Sequence, residues 1–195
     1  MGKRYQAILK HLNEPFEKYD PKLPNARFPD DGAFSRFIVA SPTETHATWV
    51  KKLDAYGKPI LCEKPLSKDL EEVEDILACK SPITMMMQYW MLADKQSYGP
   101  SHYNYYHHGP DGMVWDCFQI IALAKGEVQI EETSPIWRCT INGRNIQRGH
   151  MDGAYVEFVR DWLKGNSTPI GRIQLMLWHK KVKEFEEKWN TKASA

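Results

Sequence analysis

Two apolar runs constrain this chain more than any other feature. Arg36-Phe-Ile-Val-Ala40 and Pro59-Ile-Leu-Cys62 are short, continuous and rich in branched side chains. That composition belongs to strands covered on both faces, because a half-exposed strand alternates polar with apolar residues. Between the runs, Thr48, Trp49, Leu53 and Tyr56 recur at helical spacing until Gly57, and Thr43 stands where it can cap the helix. After the second run, Ser67 is placed to cap another helix. Asp69, Glu71 and Glu72 in its first turns suit the positive end of the helix dipole, and Val73, Ile76 and Leu77 supply its buried face. Ile83-Thr-Met-Met-Met-Gln-Tyr89 reads as a third strand, its methionines as core filler. Strand, helix, strand, helix, strand in this order predicts parallel βαβ units and an α/β sheet.

The flanking segments read differently. Tyr5, Ile8, Leu9 and Leu12 predict an amphipathic helix from Met1 to Leu12, stopped by Pro15, and Phe16 to Asp20 reads as a short alternating strand. Beyond residue 91 the chain is first polar and aromatic. A helix is then expected over Met113 to Lys125, with strands at 127–133 and 136–142 and helices from about Gly153 to Lys164 and Ile173 to Trp189. Two helices on a small antiparallel sheet make an α+β lobe, so residues 1–90 and 91–195 are expected as separate domains.

Composition removes some function classes. A formal charge of +1 argues against a nucleic-acid partner or an anionic membrane surface bound by bulk electrostatics. No apolar run approaches the roughly 20 residues of a membrane span, and the basic amphipathic start is no signal peptide, so a cytoplasmic protein is expected. Cys62, Cys79, Cys117 and Cys139 lack metal-ligand or C-x-x-C spacing and read as reduced thiols, with no metal site expected. Asn166-Ser-Thr168 matches a glycosylation sequon but reads as a turn. The charged run Lys180 to Lys188 reads as a solvated helix face.

The chemistry-bearing residues sit where the first two strands end. Ser41-Pro-Thr-Glu-Thr-His46 follows one strand and Glu63-Lys-Pro65 the next, so both sets of polar groups should meet at the carboxyl edge of the sheet, where open α/β sheets bind ligands. In this order and spacing the two motifs resemble those of the Gfo/Idh/MocA family, the glucose–fructose oxidoreductase and inositol dehydrogenase relatives. There a strand ending T-P-x-x-x-H precedes one ending E-K-P; here Ser41 replaces the usual Thr. The resemblance implies a Rossmann-like domain binding NAD or NADP, with Ser41, Pro42, Thr43, His46, Glu63, Lys64 and Pro65 lining the nicotinamide side. It also implies that Lys64 sits beside the substrate hydroxyl, where an ammonium lowers the cost of proton loss. On the residues alone, Lys64 is equally open to pairing with Glu63 or Asp116, and His46 to being a helix-surface histidine.

The resemblance reaches back to Met1-Gly2-Lys3-Arg4-Tyr5, where Gly2 matches the third glycine of G-x-G-x-x-G. Asp20 then falls where the ribose-binding acid belongs, which favours NAD because a carboxylate repels a 2′-phosphate. The first strand and the first two glycines have no counterpart, so a truncated sheet is expected. Either residues lie upstream of Met1, or the protein has lost the family's mode of binding. In the second lobe Asp116 matches one polar position of the family's catalytic helix. No histidine stands between His108 and His150, although His107 and His108 lie just ahead. Tyr103, Tyr105, Tyr106 and Trp115 suit either core packing or the floor of a sugar pocket. Two functions follow: an oxidoreductase acting on a sugar, cyclitol or similar small polyol, or a non-catalytic relative serving as a binding or scaffold protein. An exposed sheet edge predicts a homo-oligomer.

Overall fold

The computed structural model describes residues 1–28, 33–88, 104–106, 128–133, 136–141, 144–145, 151–166 and 171–193. They form two compact units, Met1–Met85 and Met86–Ala195.

The first unit opens with helix α1 (Gly2–His11), which buries Tyr5 and Ile8 one turn apart. Its end lies before Pro15. Asn13 takes a left-handed conformation at φ 56°, while the N–H groups of Asn13 and Glu14 return to the carbonyls of Lys10 and Leu9. Asparagine tolerates this cap because its short polar side chain relieves the left-handed conformation. The expected strand over residues 16–20 is not formed. Its alternating side chains serve aromatic packing instead: the Tyr19 ring meets Phe28 at 5.1 Å and Trp49 at 5.5 Å, both edge-on. Asp20 then turns the chain, accepting the Lys22 N–H at 3.1 Å.

Strands β1 (Phe37–Val39), β2 (Ile60–Cys62) and β3 (Ile83–Met85) form a parallel sheet in that order. Val39 lies opposite Cys62, and Cys62 opposite Met85. The central strand is wholly buried, which accounts for its unbroken apolar sequence. Helix α2 (His46–Asp54) returns from β1 to β2, burying Ala47, Val50 and Leu53 beside His46. A 3-10 turn at Thr43–Thr45 precedes it, so its N-cap is Thr45 rather than Thr43. Helix α3 (Leu70–Ala78) returns from β2 to β3 and buries Val73, Ile76 and Leu77. Its N-cap is Asp69, which accepts the Glu71 N–H at 2.8 Å. Ser67 stands two residues earlier than a cap should; its hydroxyl accepts the Asp69 N–H at 3.0 Å and donates to Glu72. At the far end, Asp54 accepts the Ser81 N–H at 2.7 Å, which lowers its carboxyl pKa and fixes the entry to β3.

The second unit holds an antiparallel sheet in which β6 (Ile136–Ile141) is central. Strand β5 (Val128–Thr133) lines one side, while β4 (Asn104–Tyr106) and β7 (Arg144–Asn145) share the other. Helices α4 (Met151–Leu163) and α5 (Arg172–Ala193) complete the α+β arrangement. Tyr155, Phe158, Val159 and Trp162 form the buried stripe of α4, and Leu175, Trp178 and His179 that of α5. The helix expected over residues 113–125 lies outside the described residues. Among the described residues no helix is long and apolar enough to cross a membrane.

His179 gives this unit a dependence on pH. Its ring is buried, with Nδ1 donating to the Leu175 carbonyl at 2.8 Å, and burial lowers its pKa to about 4. The unfolded chain therefore takes up a proton near pH 6.5 that the folded unit refuses until about pH 4. Stability is present in full above that window and is lost as pH falls through it, by about 3 kcal/mol at 1.36 kcal/mol per pKa unit. Urea denaturation from pH 7 to pH 4 should show this loss, and His179→Leu should flatten it; an unchanged slope would exclude His179 as its source.

Candidate active site

Because β1 and β2 run parallel with Val39 opposite Cys62, both chains leave the sheet at the same edge. The last bond of their ladder runs from the Glu63 N–H to the Val39 carbonyl, at 2.9 Å. Beyond it stand two turns, Ser41–Thr45 and Glu63–Pro65. The first is held by Thr45, whose N–H donates to the Pro42 carbonyl at 2.9 Å. Its hydroxyl lies 2.7 Å from the same carbonyl and 2.8 Å from Ser41 Oγ. The second contains a cis Lys64–Pro65 peptide.

Two buried polar side chains lie between these turns and their neighbours. Glu63 is 3% exposed; its Oε1 accepts from the Tyr5 hydroxyl at 2.7 Å, and its Oε2 accepts from the Lys64 N–H at 3.2 Å. His46 is 1% exposed, with Nδ1 2.8 Å from the Pro65 carbonyl and Nε2 2.9 Å from the Ser41 carbonyl. The Tyr5 bond brings the first turns of α1 to the Glu63 turn. That helix has no side-chain cap and no acidic residue in its first turn. Its first intrahelical donor is the Arg4 N–H, so the Gly2 and Lys3 N–H groups point out of the helix end. A Cβ placed on Gly2 would meet nothing within 4 Å.

Residues 13–82 match the family model of an oxidoreductase family with an NAD-binding Rossmann fold. Over this segment the chain is similar to the Gfo/Idh/MocA family. No curated protein matches the chain by sequence. Among solved structures, the WlbA (WbpB) dehydrogenase from Thermus thermophilus is similar in two complexes. The complex with NAD and UDP-GlcNAcA has a TM-score of 0.61, and that with NAD and alpha-ketoglutarate 0.62. Each is 14% identical, with 93% of this chain and 89% of that chain covered. A Gfo/Idh/MocA family oxidoreductase from Vibrio cholerae has a TM-score of 0.54 at 10% identity, covering 81% of this chain and 79% of that one. At these identities the shared property is the fold.

Within residues 13–82 and α1, the expected site residues separate by environment. Ser41, Thr43 and Lys64 are half-buried and Pro42 is exposed, all on the two turns. His46, Glu63 and Pro65 are buried beneath them. Gly2 is half-buried at the start of α1, and half-buried Asp20 lies in the loop that packs on α2 through Tyr19. Asp116, His107, His108, Tyr103 and Trp115 lie outside the described residues, and Tyr105 and Tyr106 fall in β4. Among the described residues no three His, Cys, Asp or Glu side chains are grouped to hold a metal. Sequence reasoning passed over Tyr5 and Thr45. Tyr5 read as a core position in a helical period, yet a buried phenol needs a polar partner, and that need was the available signal.

Tyr5→Phe deletes the donor to Glu63 Oε1 and leaves a buried carboxylate oxygen unmatched. The expected loss is about 1.5–3 kcal/mol of stability by urea denaturation. A variant as stable as the parent would show that the bond does not hold α1 to this edge.

Proposed function

We propose that the chain is an oxidoreductase using NAD, or less favourably NADP, to move a hydride to or from a carbinol carbon of a sugar, cyclitol or similar small polyol. The observation that carries this reading is the meeting of the Ser41 turn and the Glu63-Lys64 turn at one sheet edge, to which the Tyr5 hydroxyl ties α1. In this reading the Gly2 and Lys3 N–H groups receive the pyrophosphate. Asp20, with Oδ1 accepting the Lys22 N–H, offers its other oxygen to the adenosine ribose. Ser41, Pro42 and Thr43 line the nicotinamide side above His46, Glu63 and Pro65. Bound there, the nicotinamide ring supplies or accepts the hydride. The Lys64 ammonium orients the substrate hydroxyl and lowers the cost of its losing a proton, and Asp116 is the second candidate catalytic group. A fold relative held with NAD and UDP-GlcNAcA, a sugar nucleotide, supports the substrate class. Buried free thiols at Cys62 and Cys79 suit the cytoplasm.

The same reading includes self-association. Phe37 and Val39 turn their main-chain groups toward β2, so the N–H and C=O of Ile38 face the outer edge of β1. Antiparallel pairing of Ile38 with Ile38 of a second copy exchanges both bonds and removes that edge.

Fluorescence titration should show tighter binding of NADH than of NADPH, and Asp20→Ser should narrow the difference. Failure of the folded protein to bind either cofactor at millimolar concentration would end the enzyme reading and leave that of a non-catalytic binding protein. Light scattering should give a dimer, and Ile38→Pro, tolerated where an edge N–H faces outward, should give a folded monomer. A monomeric parent would exclude pairing through β1.

A further inference from the structure

Both nitrogens of the buried His46 ring are taken up by main-chain carbonyls on two different turns. One is Ser41, five residues before it, and the other Pro65, nineteen residues after it. The strand ladder has stopped by this point, since its last bond joins Glu63 to Val39. Past that bond, the His46 ring reaches both the turn carrying Pro42 and Thr43 and the turn carrying Lys64. A carbonyl oxygen only accepts, so the ring satisfies both turns at once when each nitrogen carries a proton. With a single proton it ties one turn fully and sets a lone pair against the other.

We infer that His46 is a positioning residue, a buckle that fixes the separation of the Ser41–Thr45 and Glu63–Pro65 turns. It is not a contact of the bound dinucleotide. With both ring nitrogens committed to the main chain, the ring has no polar atom left for a cofactor or a proton relay. Its action on ligand is indirect, through where it sets Thr43 on one side and Lys64 on the other. The ligand part of this inference rests on the proposed dinucleotide site; the buckle itself does not.

The test therefore has one arm without cofactor and one with it. In the free protein, nitrogen-edited NMR should show His46 ring N–H protons slow to exchange with water. Phenylalanine keeps the ring's bulk and removes both donors. In His46→Phe, amide hydrogen exchange should quicken about tenfold in both turns, 41–45 and 63–67, as expected for losing one hydrogen bond's net stabilisation at each. His46→Asn, which retains one amide donor, should protect one turn better than the other. On adding NADH, the ring nitrogens of the parent should keep their protons and their shifts, while His46→Phe binds NADH about tenfold more weakly. Unchanged exchange in either turn would overturn the buckle even if NADH binds. A ring nitrogen whose shift moves by several ppm on adding NADH would mark a direct contact and overturn the assignment to positioning. If the parent binds no NADH, the cofactor reading fails alone, and the exchange arm still decides the role of His46. Should His46→Phe not fold, the exchange of the parent's ring N–H protons carries the decision.

Discussion

The register that sets Val39 beside Cys62 governs the rest of the first unit. Parallel strands in register must release their chains at the same edge, and each chain must then cross back by a helix that starts there. The Ser41 turn and α2 follow from the first exit, and the Glu63 turn and α3 from the second. The starts of α2 and α3 therefore collect at the edge where the strands end, that of α3 closed by its Asp69 cap. The Tyr5–Glu63 bond ties α1 to the same edge.

Much of this was legible in the chain because burial on both faces leaves a plain mark. The central strand β2 is a continuous and wholly buried apolar run, and α2 and α3 carry clean helical stripes. Reading failed where one pattern has two physical uses. Phe16 to Asp20 alternates like a strand, but Tyr19 meets Phe28 and Trp49, and the alternation records aromatic packing rather than a ladder. Caps shifted for a related reason. Thr43 and Ser67 are suitable cap types, yet Thr45 and Asp69 occupy the positions, because a 3-10 turn and a serine hydroxyl bond precede the helices.

The site was legible as a set of positions more than as a set of roles. The two motifs stand together at the edge their spacing predicted. Which of their members face outward depends on partners that spacing does not reveal. His46 meets two main-chain carbonyls, and a carbonyl has no residue type to betray it. Glu63 meets Tyr5, 58 positions away, on a helix whose own periodicity accounts for Tyr5 without reference to any acid. The half-buried Ser41, Thr43 and Lys64 stand on the turns above these buried groups.

The hydrogen bonds of Glu63 show what an acid does at this position. Two donors converge on the side chain, the Tyr5 hydroxyl on one oxygen and the Lys64 N–H on the other. A carboxylate accepts at both oxygens at once. Glutamine has the same shape, but its single oxygen must take the Lys64 N–H, and the Tyr5 hydroxyl must then turn to accept from the NH₂ group. The acid therefore joins the helix whose first N–H groups face the proposed pyrophosphate to the residue proposed to meet the substrate. Anything that displaces α1 is felt at Lys64 through two hydrogen bonds that share one buried carboxylate.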